Sequence, residues 1–232
     1  MFAVIFEVNP KPEQWDAYLG YAKLLRPELE QIDGFIDNER FSSLRREGWL
    51  LSLSIWRDEK AVIRWRTLAA HHAVQEKGRF EIFENYHLRV GEIARDTGLP
   101  AGQSLQQQRF DETEVGAAKH VTISELPPAD GGRPGRDDLA RALGVPGADI
   151  DTGTGTGTAW IVDQEVWESL YNPGKLLLLV SWRDAAAAER WHPADIAAAK
   201  PRHRHVRIIR DYGMADRREA PQFYPPVTLP SR

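Results

Sequence analysis

From Phe2 to Val8 the chain is a β-branched and aromatic run, the pattern of a strand, and Asn9-Pro10-Lys11-Pro12 ends it. The period then changes. Trp15, Tyr18, Leu19, Ala22, Leu25 and Leu29 recur at helical spacing, which predicts a helix ending near Asp33-Gly34. Phe35 to Leu44 reads as a second strand, and Trp49 to Trp56 as a third. Arg45-Arg46-Glu47-Gly48 forms the hairpin turn between them, with Gly48 free to take a positive φ. Asp58 suits the N-cap of a second helix, predicted to run unbroken to about Lys77, where Gly78 stops it. Phe80, Ile82, Tyr86, Leu88 and Val90 predict a fourth strand. Strand, helix, strand, strand, helix, strand is the split βαβ, or ferredoxin-like, order. Both helices lie on one face of such a sheet, so the other face has to be covered by something else.

The same pattern then returns. Trp56-Arg57-Asp58 recurs as Trp182-Arg183-Asp184, Arg64-Trp65 as Arg190-Trp191, and Tyr86 as Tyr212, a constant offset of 126 positions (182 − 56). At the same offset Asp37, Glu39, Ser43, Leu44 and Gly48 meet Asp163, Glu165, Ser169, Leu170 and Gly174. This is an internal duplication of a small domain, far longer than a solenoid unit. It predicts a first copy over 1–95, a linker over 96–115, a divergent second copy over 116–219 and a Pro-rich arm over 220–232. Two such copies can cover each other's bare face. The second copy has strands at Ala159–Leu170, Lys175–Trp182 and His205–Tyr212. Its first helix is reduced to Asp137–Leu143, and Thr152–Thr158 alternates Thr with Gly, a flexible loop that could act as a lid.

Composition narrows the function. Hydrophobic residues make up 42% and charged residues 28%, and the net charge of −4 gives no overall basic field for nucleic acid. The absence of cysteine excludes disulfides, thiolate nucleophiles and Cys-based metal sites. The N-terminus has no basic n-region, and the longest other apolar run, Leu176–Val180, is far short of a membrane span. A cytoplasmic protein without membrane contact is the expectation.

Candidate chemistry lies on the second helix. On that helix Ala61, Val62, Ala69 and His72 share a face with Trp65, and His72 falls within about 20° of it around the axis. His71 then points to solvent. Around Trp191 the same positions are Ala187, Ala188, Asp195 and Ala198, so the copies share the tryptophan and differ beside it. A neutral imidazole near an apolar wall can act as a base, and His72 is the candidate. His203 and His205 share one face of a strand, a spacing able to chelate a metal. The cations between Lys200 and Arg207 oppose this and favour an electropositive rim for an anionic substrate, so no metal ligand set is expected. No G-x-S-x-G, Walker A, H-E-x-x-H or dinucleotide fingerprint is present.

The stretch from Ser54 to Val90, with its Trp56-Arg57-Asp58, Arg64-Trp65, paired histidines and aromatic last strand, resembles the antibiotic biosynthesis monooxygenase (ABM) family of dimeric α/β-barrel proteins. The match covers residues 37–90 and is weaker over 163–212. The resemblance implies an α+β fold in which two tandem ferredoxin-like βαββαβ repeats form an intramolecular α/β barrel. It also implies a monooxygenase that needs no cofactor and acts on an aromatic or apolar small molecule in a pocket of the first repeat, between sheet and helices. Trp65, Trp56 and Tyr86 would line that pocket. His72 would generate a carbanion or phenolate that reacts with oxygen, and Asn9 would hydrogen-bond the developing oxyanion. Heme-degrading relatives use a first-strand Asn, a second-helix Trp and a later His. Here Asn9 and Trp65 match the first two, while the third position is Gln75 and His72 comes one turn early. A heme-binding or heme-degrading monooxygenase, or a polyketide-type cyclase or lyase on the same fold, is the alternative reading, and a non-catalytic small-molecule binding protein is a further one. The Pro-rich arm could brace a homodimer of the fused pair.

Overall fold

A computed structural model describes residues 1–99, 101–128, 138–146, 160–196 and 200–224. The first half contains β1 (Phe2–Pro10), α1 (Trp15–Glu30), β2 (Phe35–Ser43), β3 (Leu50–Trp56), α2 (Glu59–Thr67), α3 (Ala69–Lys77), a π-helical turn over Gly78–Ile82, and β4 (Phe83–Asp96). The second half contains β5 (His120–Leu126), α4 (Leu139–Ala142), β6 (Ile161–Ser169), β7 (Leu176–Trp182), α5 (Ala185–Arg190) and β8 (Arg202–Gly213). The Thr-Gly stretch, Asp137, Ala159, Ala198 and the last eight residues of the arm lie outside the described residues.

The strands close into one barrel in the order β1-β3-β2-β6-β7-β5-β8-β4, every pair antiparallel. Each half contributes a ferredoxin-like sheet, and two seams join them. The β4–β8 seam runs from His87↔Gly213 to Asp96↔Arg204. The β2–β6 seam has only Phe41↔Ser169, Ser42↔Glu168 and Ser43↔Trp167. The expected α+β intramolecular barrel is therefore the fold.

Strand alternation sorts the side chains. On β1 and β3 the odd positions Ala3, Ile5, Leu51, Leu53 and Ile55 enter the barrel, where they meet Val121, Ile123, Leu177, Leu179, Val206 and Ile208. Charged groups at the strand ends are neutralised in matching ways. Glu7 is bound by Arg46 and Arg89, and Glu125 by Lys175 and Arg204. Burial opposes ionisation at both carboxyls, but the adjacent cations outweigh it and hold them below the usual range. Ser43 donates to Glu165, and its repeat partner Ser169 donates to Glu39 at 2.6 Å, so each half bonds the other reciprocally. The linker is also built in, since Leu99 and Leu105 pack on the barrel core and the Gln108 amide donates to Glu92.

The even positions of β1 and β3 face the helices. Asp58 caps α2 by accepting from the Ala61 amide at 2.8 Å, and Asp184 caps α5 through Ala187 at 2.8 Å. The turn glycines Gly48 and Gly174 both adopt positive φ, at 76° and 89°. No helix among the described residues is long and apolar enough to cross a membrane.

Candidate active site

The expected second helix is two helices. Leu68 leaves helical geometry at φ −60° and ψ 127°, ending α2 and starting α3. Thr67 stands at the break, its hydroxyl donating to the Ile63 carbonyl at 2.9 Å. Such back-bonding bends helices, and it is the faint signal the sequence carried. The restart turns α3 about its axis relative to α2. It is therefore His71, not His72, that stacks on Trp65, with ring centres 4.0 Å apart and planes 16° from parallel. His72 is exposed, its Nδ1 lying 3.3 Å from Gln222. The expectations of a cavity-facing His72 and a solvated His71 are both reversed.

Two further expectations fail for structural reasons. Asn9 has odd parity on β1, on the side away from the helices, and its amide donates to Glu84 at 3.1 Å. Trp56 is on the helix side but completely buried, packed with Phe2, Leu29 and Ala61, with its Nε1 donating to Ser54 at 2.9 Å. Neither lines the cavity described next. Trp65 and Tyr86 do.

That cavity, about 260 Å³, lies between the outer face of the first-half sheet and α1–α3. Val4, Phe6, Leu25, Val62 and Leu88 supply apolar walls. Its polar floor is fixed: Asn38 donates to Ser52 Oγ and the Leu53 carbonyl, both at 3.0 Å, and accepts from Arg40 at 3.1 Å. His71 Nδ1 lies 2.9 Å from the Trp65 carbonyl, which can only accept. Nδ1 therefore carries the hydrogen and Nε2 the lone pair. Burial pushes the His71 pKa down to about 4 against the pull of that hydrogen bond, with His72 adding a little. The ring is neutral at physiological pH. The Gln75 amide nitrogen lies 3.1 Å from Nδ1 and 3.4 Å from Nε2, and its Oε1 accepts from Gln222 at 3.0 Å.

Opposite these groups, Tyr86 Oη accepts from Arg217 at 2.6 Å and from Arg79 at 3.1 Å. Arg217, Pro221, Gln222 and Tyr224 all line the cavity, so the start of the expected arm lies on the first-half site of its own chain. Sequence reasoning missed His71, Arg79, Arg210 and Arg217. The last two come from the second half and follow from no local pattern.

Among the described residues, the equivalent place in the second half is filled. Trp191, the repeat partner of Trp65, is 7% exposed, packs on Trp182 at 5.8 Å and donates to the Leu143 carbonyl at 3.1 Å. Leu139, Leu143 and Val145 fill in around it. His205 and His203 are on β8 as expected, hydrogen-bonded to His120 at 3.0 Å and to Ser124 at 2.8 Å.

A family model for antibiotic biosynthesis monooxygenase matches residues 1–77. A jasmonate monooxygenase ABM from Pyricularia oryzae is 44% identical over 232 residues, covering 98% of this chain and 100% of that protein. The chain belongs to the antibiotic biosynthesis monooxygenase family. Two solved aldoxime dehydratases resemble this chain in fold at 12% identity each. One, bound to butyraldoxime, has a TM-score of 0.55 over 90% of this chain and 79% of its own. The other has a TM-score of 0.52 over 90% and 81%. At that identity the likeness concerns fold alone. Within the family, the duplicated chain carries its open cavity in the half that the family model matches.

Proposed function

We propose that this protein is a monooxygenase that oxygenates an apolar small molecule in the first-half cavity, with His71 as proton acceptor and Tyr86 as hydrogen-bond donor to the substrate oxygen. The observation that carries this reading is the neutral imidazole stacked on Trp65, with its lone pair on Nε2 and its tautomer fixed by a backbone carbonyl. Tyr86 Oη already accepts from two guanidiniums, so its own hydrogen is left to donate. A base and an oxyanion donor in an apolar site are what ionisation of a carbon acid needs. The substrate class is an activated methylene beside a carbonyl or aromatic ring. His71 takes one proton and the carbanion reduces O2. The resulting peroxide loses water to leave a carbonyl, so R2CH2 + O2 gives R2CO + H2O and no external reductant is consumed.

A heme does not fit the residues present. The cavity falls below the ~300–1,000 Å³ typical of drug-sized ligands, at about 260 Å³, and a porphyrin exceeds it. The expected axial position is Gln75, His72 lies outside, and His71 is held flat against an indole. We take the reaction to need no resident cofactor.

Oxygen uptake and product mass, measured with a tricyclic ketone bearing an activated methylene and with jasmonate, test this. The His71→Ala variant should lose roughly 10²–10⁴-fold in turnover. His72→Ala should stay within a few-fold of the parent. Full turnover by His71→Ala would remove that residue from the chemistry.

A further inference from the structure

We propose that Arg66, Arg210 and Arg217, which line the cavity together with Tyr212, form a carboxylate subsite, so that the molecule taken by this cavity is an apolar monocarboxylic acid. This deepens the preceding proposal and rests on its assignment of the cavity as the substrate site.

The residues come from three places and converge. Arg66 stands in the last turn of α2. Arg210 and Tyr212 are two apart on β8 and share a face. Arg217 follows that strand. A register shift beside Val90 and Gly91 is what turns this end of β8 outward. Ile208 enters the barrel, whereas Arg210 and Tyr212 line the cavity. The Arg217 guanidinium lies over the Tyr212 ring, 5.3 Å from its centroid, and Arg66 and Arg210 line the same cavity.

Their charge is only partly cancelled. Among the described residues, Arg66, Arg210 and Arg217 share the cavity wall with one carboxylate, Glu59. Arg109 already takes both oxygens of Glu59, at 2.7 and 2.8 Å, and Arg210 reaches it only at 4.0 Å. Arg66 pairs with no carboxylate among the described residues. Arg217 spends its terminal nitrogens on Tyr86 and the carbonyls of Gly213 and Gln222. Its Nε is buried with no partner among the described residues. Positive charge in excess of counter-charge, set in an apolar wall, favours one anionic group on an otherwise apolar ligand. The fork geometry of arginine suits a carboxylate.

Isothermal titration of the full-length protein with matched pairs tests the subsite: jasmonic, octanoic and 4-phenylbutyric acids, each against its methyl ester. At least one acid should bind about 10–100-fold tighter than its ester, and only the acid's affinity should fall as salt is raised. The Arg66→Gln/Arg210→Gln variant should lose the preference while ester affinity stays within about threefold. Because the salt dependence is read on the unaltered protein, the test survives a poorly folding variant. Esters binding as tightly as acids would sink the subsite and leave the cavity assignment standing. If no acid or ester binds, both fall together.

Discussion

Holding His71 neutral has a thermodynamic consequence that can be measured apart from any substrate. Its pKa in the folded protein is about 4, against an ordinary value of 6.5. The folded state therefore binds a proton at His71 less readily than the unfolded chain. Stability from this group is intact above pH 6.5, and it is lost as pH falls from there towards 4, because only the unfolded chain gains the proton. The difference between pH 7 and pH 5 is about 2 kcal/mol from linkage, with two and a half pKa units as the upper bound of about 3.4 kcal/mol below pH 4. Other groups titrate in this range, so the informative quantity is a difference. Urea unfolding of the parent and of His71→Gln should be followed by fluorescence at pH 7 and pH 5. The parent should lose about 2 kcal/mol more than the variant over that interval. Equal losses would mean that His71 titrates normally and is not enclosed as described. The corollary for catalysis is that an acid limb due to His71 should lie near pH 4, not near 6.5.

Two further outcomes follow from the cavity. Trp191→Ala, which empties a packed site, should cost about 3–5 kcal/mol in unfolding free energy. Trp65→Ala should cost clearly less, because that ring already borders open space, yet it should weaken ligand binding; equal destabilisation by the two would contradict the asymmetry of the halves. Tyr86→Phe should lower kcat by about 10²-fold with little change in KM if the phenol serves the transition state. A raised KM at unchanged kcat would reassign it to ground-state binding.

Much of the fold was legible because it depends on local period and on repetition. The alternation of Phe2–Val8 and the spacing from Trp15 to Leu29 found their elements. The offset between Trp56-Arg57-Asp58 and Trp182-Arg183-Asp184 found the two halves. The placement of Trp65 and Tyr86 on the cavity was also reachable. The histidine was not, since one non-helical residue, Leu68, is enough to exchange the faces of His71 and His72 on the wheel. Asn9 and Trp56 show two other limits. Parity along β1 puts Asn9 on the wrong side, and a residue on the right side can still be buried too deeply, as Trp56 is. Arg210 and Arg217 reach the cavity only because β8 joins β4 at the seam, a long-range event with no local trace.

The filled space around Trp191 has a meaning beyond packing. In a homodimer of single-copy chains every residue appears twice, so a change that closes one cavity closes both. Joining the two copies in one chain removes that constraint. One half is then free to become a solid wedge, and even to send its own arginines across the seam, while the other stays hollow. The duplication thus lets the two sides of the first-half cavity vary independently.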